Sequence, residues 1–128
     1  MLAQASTEFL AFVSLLLVLV FLVVYKNYQS ATQLEEYKTY QEAQNLVNEI
    51  AFEINLALKA GDGYSRKFYV SKELYGISNF TVEVRDYEVK LKWSKGEVTA
   101  SILTRNITGV IKTGENIVKN IKGEIYVE

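Results

Sequence analysis

The first stretch of the chain is almost entirely apolar. Between Phe9 and Tyr25, Ser14 is the only strongly polar residue. As a helix that rises about 1.5 Å per residue, this run is roughly 25 Å long, near the lower limit for crossing a bilayer. A cleaved secretory signal would need a basic leader before the apolar run, and Met1–Thr7 holds no Lys or Arg. We therefore interpret the segment as a retained part of the protein, covered by lipid or by copies of itself.

A helical pattern continues beyond the apolar run as far as Ala60. Residues 26–60 contain neither Gly nor Pro, and from Ala43 the apolar positions recur at three- and four-residue steps. This stripe consists of Ala43, Leu46, Val47, Ile50, Ala51, Ile54 and Leu58. Gly61-Asp62-Gly63 then provides the positive-φ residues that end helices. We predict one continuous helix from near Ala3 to Ala60, roughly 85 Å long at the standard helical rise.

Past the helix, apolar residues alternate with polar ones, which is typical of half-buried strands. The three clearest runs are separated by turns at Asp86 and Ser94–Glu97, and they predict an antiparallel meander. Their apolar members are Phe80, Val82 and Val84; Val89, Leu91 and Trp93; and Val98, Ala100 and Ile102. A further strand is expected over Tyr64–Val70 and a last one after Gly123, whereas we interpret Val110–Ile121 as irregular or a short strand.

One packing arrangement follows from these elements. A sheet with one apolar face needs a second layer, and the stripe that begins at Ala43 is the only amphipathic helix available. The sequence therefore predicts an α+β fold, in which the C-terminal half of a long N-terminal helix packs on a small antiparallel β-sheet head. The expected segments are a residual leader over 1–3, a hydrophobic helix over 4–25, an amphipathic helix over 26–60 and a β-rich head over 64–128.

Composition excludes several classes of function. The chain has 128 residues, a net charge of −1, and no Cys, His or Pro. Disulfide scaffolds, thiolate or imidazole metal sites and histidine acid–base catalysis are therefore excluded, and we expect no metal and no cofactor. No pair of carboxylates in the predicted head has a spacing that suggests an active site, so we expect no enzymatic activity. Because the net charge is near zero, we predict no nucleic-acid partner.

The first residues carry a recognisable motif. Gln4-Ala5-Ser6-Thr7-Glu8-Phe9, followed by the apolar run, resembles the Q-x-S-x-E-[FLY] pattern of archaeal type IV pilins with class III signal peptides. The resemblance implies a lollipop fold, in which a β-rich head wraps the distal half of a long N-terminal helix, and polymerisation into a surface filament. It covers Gln4–Tyr25 closely and the rest of the chain in architecture only, apart from a loose similarity around the final Gly-x-Ile-x-Val.

The resemblance also implies processing and assembly partners. A prepilin peptidase would cut the Ala3–Gln4 bond, which leaves the apolar segment on the mature subunit and Glu8 at its fifth position. Family leaders usually carry basic residues, and Met1-Leu2-Ala3 has none, which implies a misassigned or truncated start, or different processing. An assembly ATPase and a platform protein would then move the subunit from the cytoplasmic membrane into a filament on the cell surface.

Glu8 also stands out without the resemblance, as the only charged side chain between Met1 and Tyr25. An ionised carboxylate in hydrocarbon costs several kcal/mol unless it is paired or protonated. If cleavage exposes an α-ammonium group on Gln4, the Glu8 of a neighbouring subunit could pair with it and set the axial register of a filament. The alternative is that Glu8 marks the place where the helix leaves the lipid at the headgroups.

Two Asn-x-Thr sequons lie in the predicted head, Asn79-Phe80-Thr81 and Asn106-Ile107-Thr108, and none lies in the predicted helix. They predict N-glycosylation at Asn79 and Asn106 and favour an extracytoplasmic head. The positive-inside rule gives the opposite orientation, because Lys26 follows the apolar run and no basic residue precedes it. On the strength of the resemblance, we expect an outward head.

These observations lead to one functional hypothesis and two alternatives. We predict a structural subunit of an archaeal type IV pilus-like filament, a homopolymer that forms through the hydrophobic helix and serves adhesion. The expected filament core comprises Phe9, Phe12, Leu16, Leu19, Phe21 and Val24. The first alternative is a single-span membrane-anchored protein with a binding or sensory β-domain. The second is a membrane-tethered enzyme that uses a Glu or Lys site.

Overall fold

The computed structural model describes Met1 and residues 4–128 completely, and Leu2 and Ala3 only as part of the helical backbone. Its first element, α1, is one α-helix over Leu2–Ala60, so the predicted continuous helix is confirmed. The chain forms two compact units, Met1–Tyr37 and Lys38–Glu128. The first unit consists of the N-terminal part of α1, and the second contains the rest of α1 and all the strands that the structure describes.

Seven strands follow α1 in the described part of the chain and form two sheets. They are β1 (Ser65–Val70), β2 (Phe80–Arg85), β3 (Glu88–Trp93), β4 (Gly96–Ser101), β5 (Ile107–Gly109), β6 (Gly114–Ile121) and β7 (Glu124–Val127). One sheet has the order β1-β6-β7-β5, and the other has the order β2-β3-β4. The α+β class is confirmed, and the three-stranded sheet is the predicted antiparallel meander. The four-stranded sheet and the parallel pairing of β5 with β7 go beyond the prediction.

α1 ends where glycines allow the chain to change direction. Gly61 and Gly63 have φ angles of 85° and 89°, in the left-handed region that glycine adopts at little cost. Between them, the Asp62 carboxylate accepts a hydrogen bond from the Lys122 backbone N–H at 2.7 Å. The predicted helix stop is therefore confirmed, and a hydrogen bond joins it to the turn between β6 and β7.

The apolar stripe of α1 and both sheets share one core. All the predicted stripe residues are buried except Leu58, which is partly buried. The strands contribute apolar side chains from alternate positions, among them Phe68, Val70, Val89, Leu91, Trp93, Val98, Val118, Ile125 and Val127. The predicted packing of the C-terminal half of the helix against the β-rich region is confirmed, and Trp93 lies in this core as expected for a strand tryptophan.

The interpretation of Val110–Ile121 underestimates its order. Residues 114–121 form β6, an eight-residue strand between β1 and β7. Its buried positions are Gly114, Asn116, Val118 and Asn120. Burial therefore alternates regularly along β6, but hydrophobicity does not, because only one of these inward side chains is a large apolar group. This mismatch is the physical reason why the sequence pattern hides the strand.

Asn120 is a buried junction between three elements. Its side chain is almost fully buried, and Nδ2 donates a hydrogen bond to the Ala57 carbonyl oxygen of α1 at 2.9 Å. Oδ1 accepts a hydrogen bond from the Gly123 N–H, also at 2.9 Å. The Asn120 backbone N–H donates to the Tyr64 carbonyl oxygen, and its own carbonyl oxygen accepts from the Gly63 N–H. One residue thus joins the end of α1, the start of β1 and the β6–β7 turn.

The last strand carries a tyrosine with altered acidity. The Tyr126 hydroxyl donates a hydrogen bond to the Glu124 carboxylate at 2.9 Å. This bond and the negative charge of Glu124 raise the pKa of Tyr126 above its ordinary value of 10.0. The folded state holds this proton more tightly than the unfolded state. The protonated Tyr126 hydroxyl therefore stabilises the folded state at neutral pH. This stabilisation is lost as the pH rises through the raised pKa.

Gly109 is expected to tolerate a side chain poorly. It has a φ of 119°, and an added Cβ would collide with the Val127 carbonyl oxygen, because β5 and β7 run side by side there. We expect Gly109→Ala to break this parallel pairing and to lower the free energy of unfolding by about 2 kcal/mol. Urea unfolding in detergent, followed by the fluorescence of Trp93, the only tryptophan, measures the change.

Gly76→Ala is the matched control for this collision. Gly76 also has a positive φ, 81°, but a Cβ at this position would meet no atom within 4 Å beyond its own chain neighbours. Its replacement adds only the strain of a left-handed conformation, about 1 kcal/mol. Equal losses of stability in the two variants would contradict a specific clash between Gly109 and Val127.

Candidate functional site: an exposed apolar helix with one carboxylate

The first unit exposes its apolar side chains. The predicted filament-core residues are between 46% and 72% exposed. They are Phe9, Phe12, Leu16, Leu19, Phe21 and Val24. The part of α1 that starts at Gln4 is long enough and apolar enough to cross a membrane. An exposed apolar surface of this length needs lipid or other protein chains to cover it.

The predicted core residues do not share one face of α1. Phe9, Phe12 and Leu16 follow one another at three- and four-residue steps and therefore lie on one side. Phe21 comes about two and a half turns after Phe12 and lies on the opposite side. A helix that is apolar on all sides fits lipid or several neighbouring helices, whereas a single partner helix would need only a narrow seam.

Polar side chains within and after the apolar run bond to their own helix. The Ser14 hydroxyl donates a hydrogen bond to the Leu10 carbonyl oxygen at 2.7 Å, and Asn27 Nδ2 donates to that of Val23 at 3.0 Å. Two hydroxyls further along make the same bond to the carbonyl four residues earlier. These bonds satisfy the polar groups without an outside partner, which lowers the cost of burying them in an apolar environment.

Glu8 is different from these polar residues. Its side chain is exposed, and it makes no hydrogen bond or ion pair among the residues that the structure describes. No basic side chain precedes Lys26, so the apolar segment itself offers no group that could neutralise the carboxylate. If the segment is buried, Glu8 needs a proton or a cationic partner that the apolar run does not provide. The predicted cleavage bond lies one helical turn earlier, between Gln4 and Ala3, and the side chain of Ala3 is outside the described residues.

Both predicted glycosylation acceptors are accessible in the second unit. Asn79 and Asn106 are exposed, and each immediately precedes a strand, β2 and β5 respectively. The threonines of the two sequons, Thr81 and Thr108, are also exposed. The geometry is therefore compatible with modification at both positions.

The second unit buries one charge that the sequence pattern does not predict. Glu53 is 6% exposed, and its Oε1 lies 3.6 Å from Nη1 of Arg66 on β1. Its other oxygen has no hydrogen-bond partner within the described structure. Glu53 follows Ile50 by three residues and precedes Ala57 by four, so its helical spacing places it beside the apolar stripe. That spacing was the one signal in the sequence for its burial.

The described residues contain no cluster suited to a metal ion. Within Met1 and residues 4–128, no three acidic side chains converge where such an ion could bind. No protein-family model, no curated protein and no solved structure matches this chain. The exposed apolar helix and its single carboxylate are therefore the features on which a functional proposal rests.

Proposed function

We propose that this protein is a structural subunit of an archaeal type IV pilus-like filament, which polymerises through its N-terminal hydrophobic helix. The observation that carries the proposal is the exposed apolar helix with Glu8 as its one charged side chain. The surrounding residues Gln4–Phe9 resemble the motif of that family. The continuation of the same helix into a β-rich region, where its stripe is buried, supports the assignment.

The driving force for assembly differs from that of a soluble oligomer. Before assembly, the subunit lies in the membrane, and lipid already covers the side chains between Phe9 and Tyr25. Assembly therefore gains little from removing apolar surface from water. It gains instead from close packing of helices, from contacts between heads and from a partner for Glu8.

The proposed partner for Glu8 is the α-ammonium group that cleavage before Gln4 would create on a neighbouring subunit. In a filament core of low dielectric, a carboxylate and an ammonium group attract each other far more strongly than in water. Since Glu8 lies four residues after Gln4, the pairing offsets neighbouring helices by about 6 Å along the filament axis, at the standard helical rise. A subunit added in another register would leave a charge buried without a partner, which disfavours that addition.

The proposal includes the cellular partners that the sequence resemblance implies. A prepilin peptidase would cleave between Ala3 and Gln4. An assembly ATPase and a platform protein would move the mature subunit from the cytoplasmic membrane into the filament. The heads would face outward at the cell surface, where their exposed loops would make the contacts of adhesion.

Shearing tests the proposal. In cells that produce the protein together with a prepilin peptidase and the assembly proteins, we expect the sheared fraction to contain it as helical filaments visible by electron microscopy. Mass spectrometry of that fraction should find an N-terminal peptide that begins at Gln4. Recovery of the protein from the membrane fraction alone, with Met1 in place, would contradict the proposal and favour a single-span anchored head.

A further inference from the structure

The two sheets of the head have four edge strands. β1 and β5 bound the four-stranded sheet, and β2 and β4 bound the three-stranded sheet. An edge strand presents N–H and C=O groups that can pair with another chain, and proteins protect such edges with charges, short strands or covering elements. Subunits gathered at one membrane meet each other often, so an open edge on the head would lead to irregular association.

Three of these edge strands have features that disfavour pairing with another chain. At β4, Nε2 of Gln44 on α1 donates a hydrogen bond to the Thr99 carbonyl oxygen at 3.1 Å. On β1, Arg66 faces the Glu53 carboxylate, but Lys67 stands opposite the apolar Ile117 of β6, and its unbalanced positive charge disfavours the addition of a further strand. β5 is only three residues long and offers little backbone for pairing.

β2 is the long edge without comparable cover. The two-residue turn Asp86-Tyr87, with φ angles of 52° and 67°, joins β2 to β3, so Arg85 and Glu88 form the hydrogen-bonded pair that closes the hairpin. Hydrogen-bonded and non-hydrogen-bonded pairs alternate from there, and the backbone groups of Val84, Val82 and Phe80 therefore point away from β3. None of these groups has a hydrogen-bond partner within the described residues.

The charges on β2 give little protection of their own. Glu83 stands opposite Lys90 of β3, and Arg85 stands opposite Glu88. Each charge thus faces one of opposite sign within the sheet, and the edge as a whole is near neutral. Something other than charge must keep the open side of β2 from pairing.

Asn79 lies at the start of this open edge. It is exposed, it is followed directly by Phe80, and the Thr81 of its sequon is exposed as well. We propose that an N-linked oligosaccharide on Asn79 shields the free edge of β2 and prevents edge-to-edge association of heads, a role that rests on the outward head of the proposed function. The second acceptor, Asn106, precedes the short strand β5, and a glycan there has no long edge to shield.

The modification is a glycosyl transfer from a lipid-linked oligosaccharide. The side-chain nitrogen of Asn79 forms a bond to the anomeric carbon of the first sugar, and the bond between that carbon and the lipid phosphate breaks. The amide nitrogen gives up one proton to a base, and the lipid phosphate is the leaving group. The product places a bulky, hydrated group next to Phe80, which has the first unpaired backbone groups of β2.

The test uses the full chain, produced in a eukaryotic host whose secretory pathway attaches N-glycans and purified in detergent. Thr81→Ser keeps the sequon and Thr81→Ala removes it, with a similar change in the size of an exposed side chain. Peptide mass spectrometry should find Asn79 modified in wild type and Thr81→Ser and unmodified in Thr81→Ala. We expect Thr81→Ala to associate at least tenfold faster than Thr81→Ser, measured by sedimentation velocity and thioflavin T fluorescence. Thr108→Ala, which removes the other sequon, should associate at the wild-type rate.

An introduced sequon shows whether the head reaches the glycosylating compartment. Glu97→Asn creates one at an exposed position in front of Val98 and Thr99. Modification there without modification of Asn79 overturns the proposed shield, and so does equal association of Thr81→Ser and Thr81→Ala. A chain unmodified at every site overturns the outward head as well. Shielded heads that form no filaments would instead count against the proposed filament function alone.

Discussion

In the proposed filament, Glu8→Ala is expected to abolish assembly while the subunit stays folded and in the membrane. If the carboxylate of one subunit pairs with the α-ammonium group of the next, its removal leaves that ammonium group buried without a partner, at a cost of about 3–5 kcal/mol. Even the lower figure corresponds to a change of about 100-fold in the equilibrium of each addition. Quantifying sheared filaments by immunoblotting and electron microscopy measures the loss.

Ser14→Ala is the matched control for Glu8→Ala. Ser14 is the polar side chain inside the apolar run, and its hydroxyl bonds to Leu10 of the same helix. Its removal leaves no charge without a partner, so we expect filaments at the wild-type level. The fluorescence of Trp93 confirms in both variants that the head is folded. If Glu8→Ala filaments form with normal yield and helical geometry, Glu8 marks only the boundary of the lipid.

Glu8→Gln separates the charge of the side chain from its shape. Glutamine keeps an oxygen that can accept a hydrogen bond from the ammonium group, but it carries no compensating charge. We therefore expect a filament yield between those of wild type and Glu8→Ala. A yield equal to wild type would mean that a neutral hydrogen bond is sufficient to set the register.

The helix and the meander could be predicted because each shows its burial in the sequence. The stripe from Ala43 to Leu58 repeats at helical spacing, and the same positions are buried or partly buried against the sheets. In β3, Val89, Leu91 and Trp93 alternate with polar residues and are likewise the buried positions. In both elements, the spacing of the apolar residues along the sequence matches the face that is buried. No knowledge of distant contacts is therefore needed to predict them.

β6 could not be predicted in the same way, because its inward side chains are polar and their partners lie elsewhere. Asn116 is buried, and its Nδ2 donates to the Lys112 carbonyl oxygen at 2.7 Å. Asn120 bonds to Ala57, more than sixty residues earlier in the chain. The parallel pairing of β5 with β7 is also set by tertiary contact, because the residue pattern of neither strand indicates which strand it pairs with.

The same distinction separates the candidate site around Glu8 from the buried carboxylate of Glu53. The apolar run and the isolation of Glu8 are properties of one continuous helix, so the sequence alone displays them. The burial of Glu53 is not such a property, because it depends on β1 bringing Arg66 to within 3.6 Å. A carboxylate beside the apolar stripe of a helix is ordinarily expected at the boundary between core and solvent. Only the packing of the head shows that Glu53 is buried.

Asn120→Ala is expected to lower the free energy of unfolding of the head by about 4 kcal/mol. The buried amide holds the Ala57 carbonyl oxygen and the Gly123 N–H, each at 2.9 Å. Alanine leaves the Ala57 carbonyl oxygen buried without a partner, at a cost of about 1–3 kcal/mol, and it removes the partly buried bond to the Gly123 N–H as well. The volume of the lost amide adds the cost of a small cavity. Urea unfolding in detergent, followed by Trp93 fluorescence, measures the loss.

Lys119→Ala, one residue earlier in β6, is the matched control. Its ammonium group pairs with the Glu128 carboxylate at 2.8 Å on the surface, a contact worth less than about 1 kcal/mol. Asn120→Asp tests the direction of the buried bonds, because it keeps an acceptor for Gly123 but turns a second oxygen toward the Ala57 carbonyl. We expect it to be at least as damaging as alanine at neutral pH and to recover stability, relative to wild type, when acid protonates the carboxyl group. If Asn120→Ala costs no more than Lys119→Ala, water satisfies the exposed groups, and the amide does not hold the end of α1 to the β6–β7 turn.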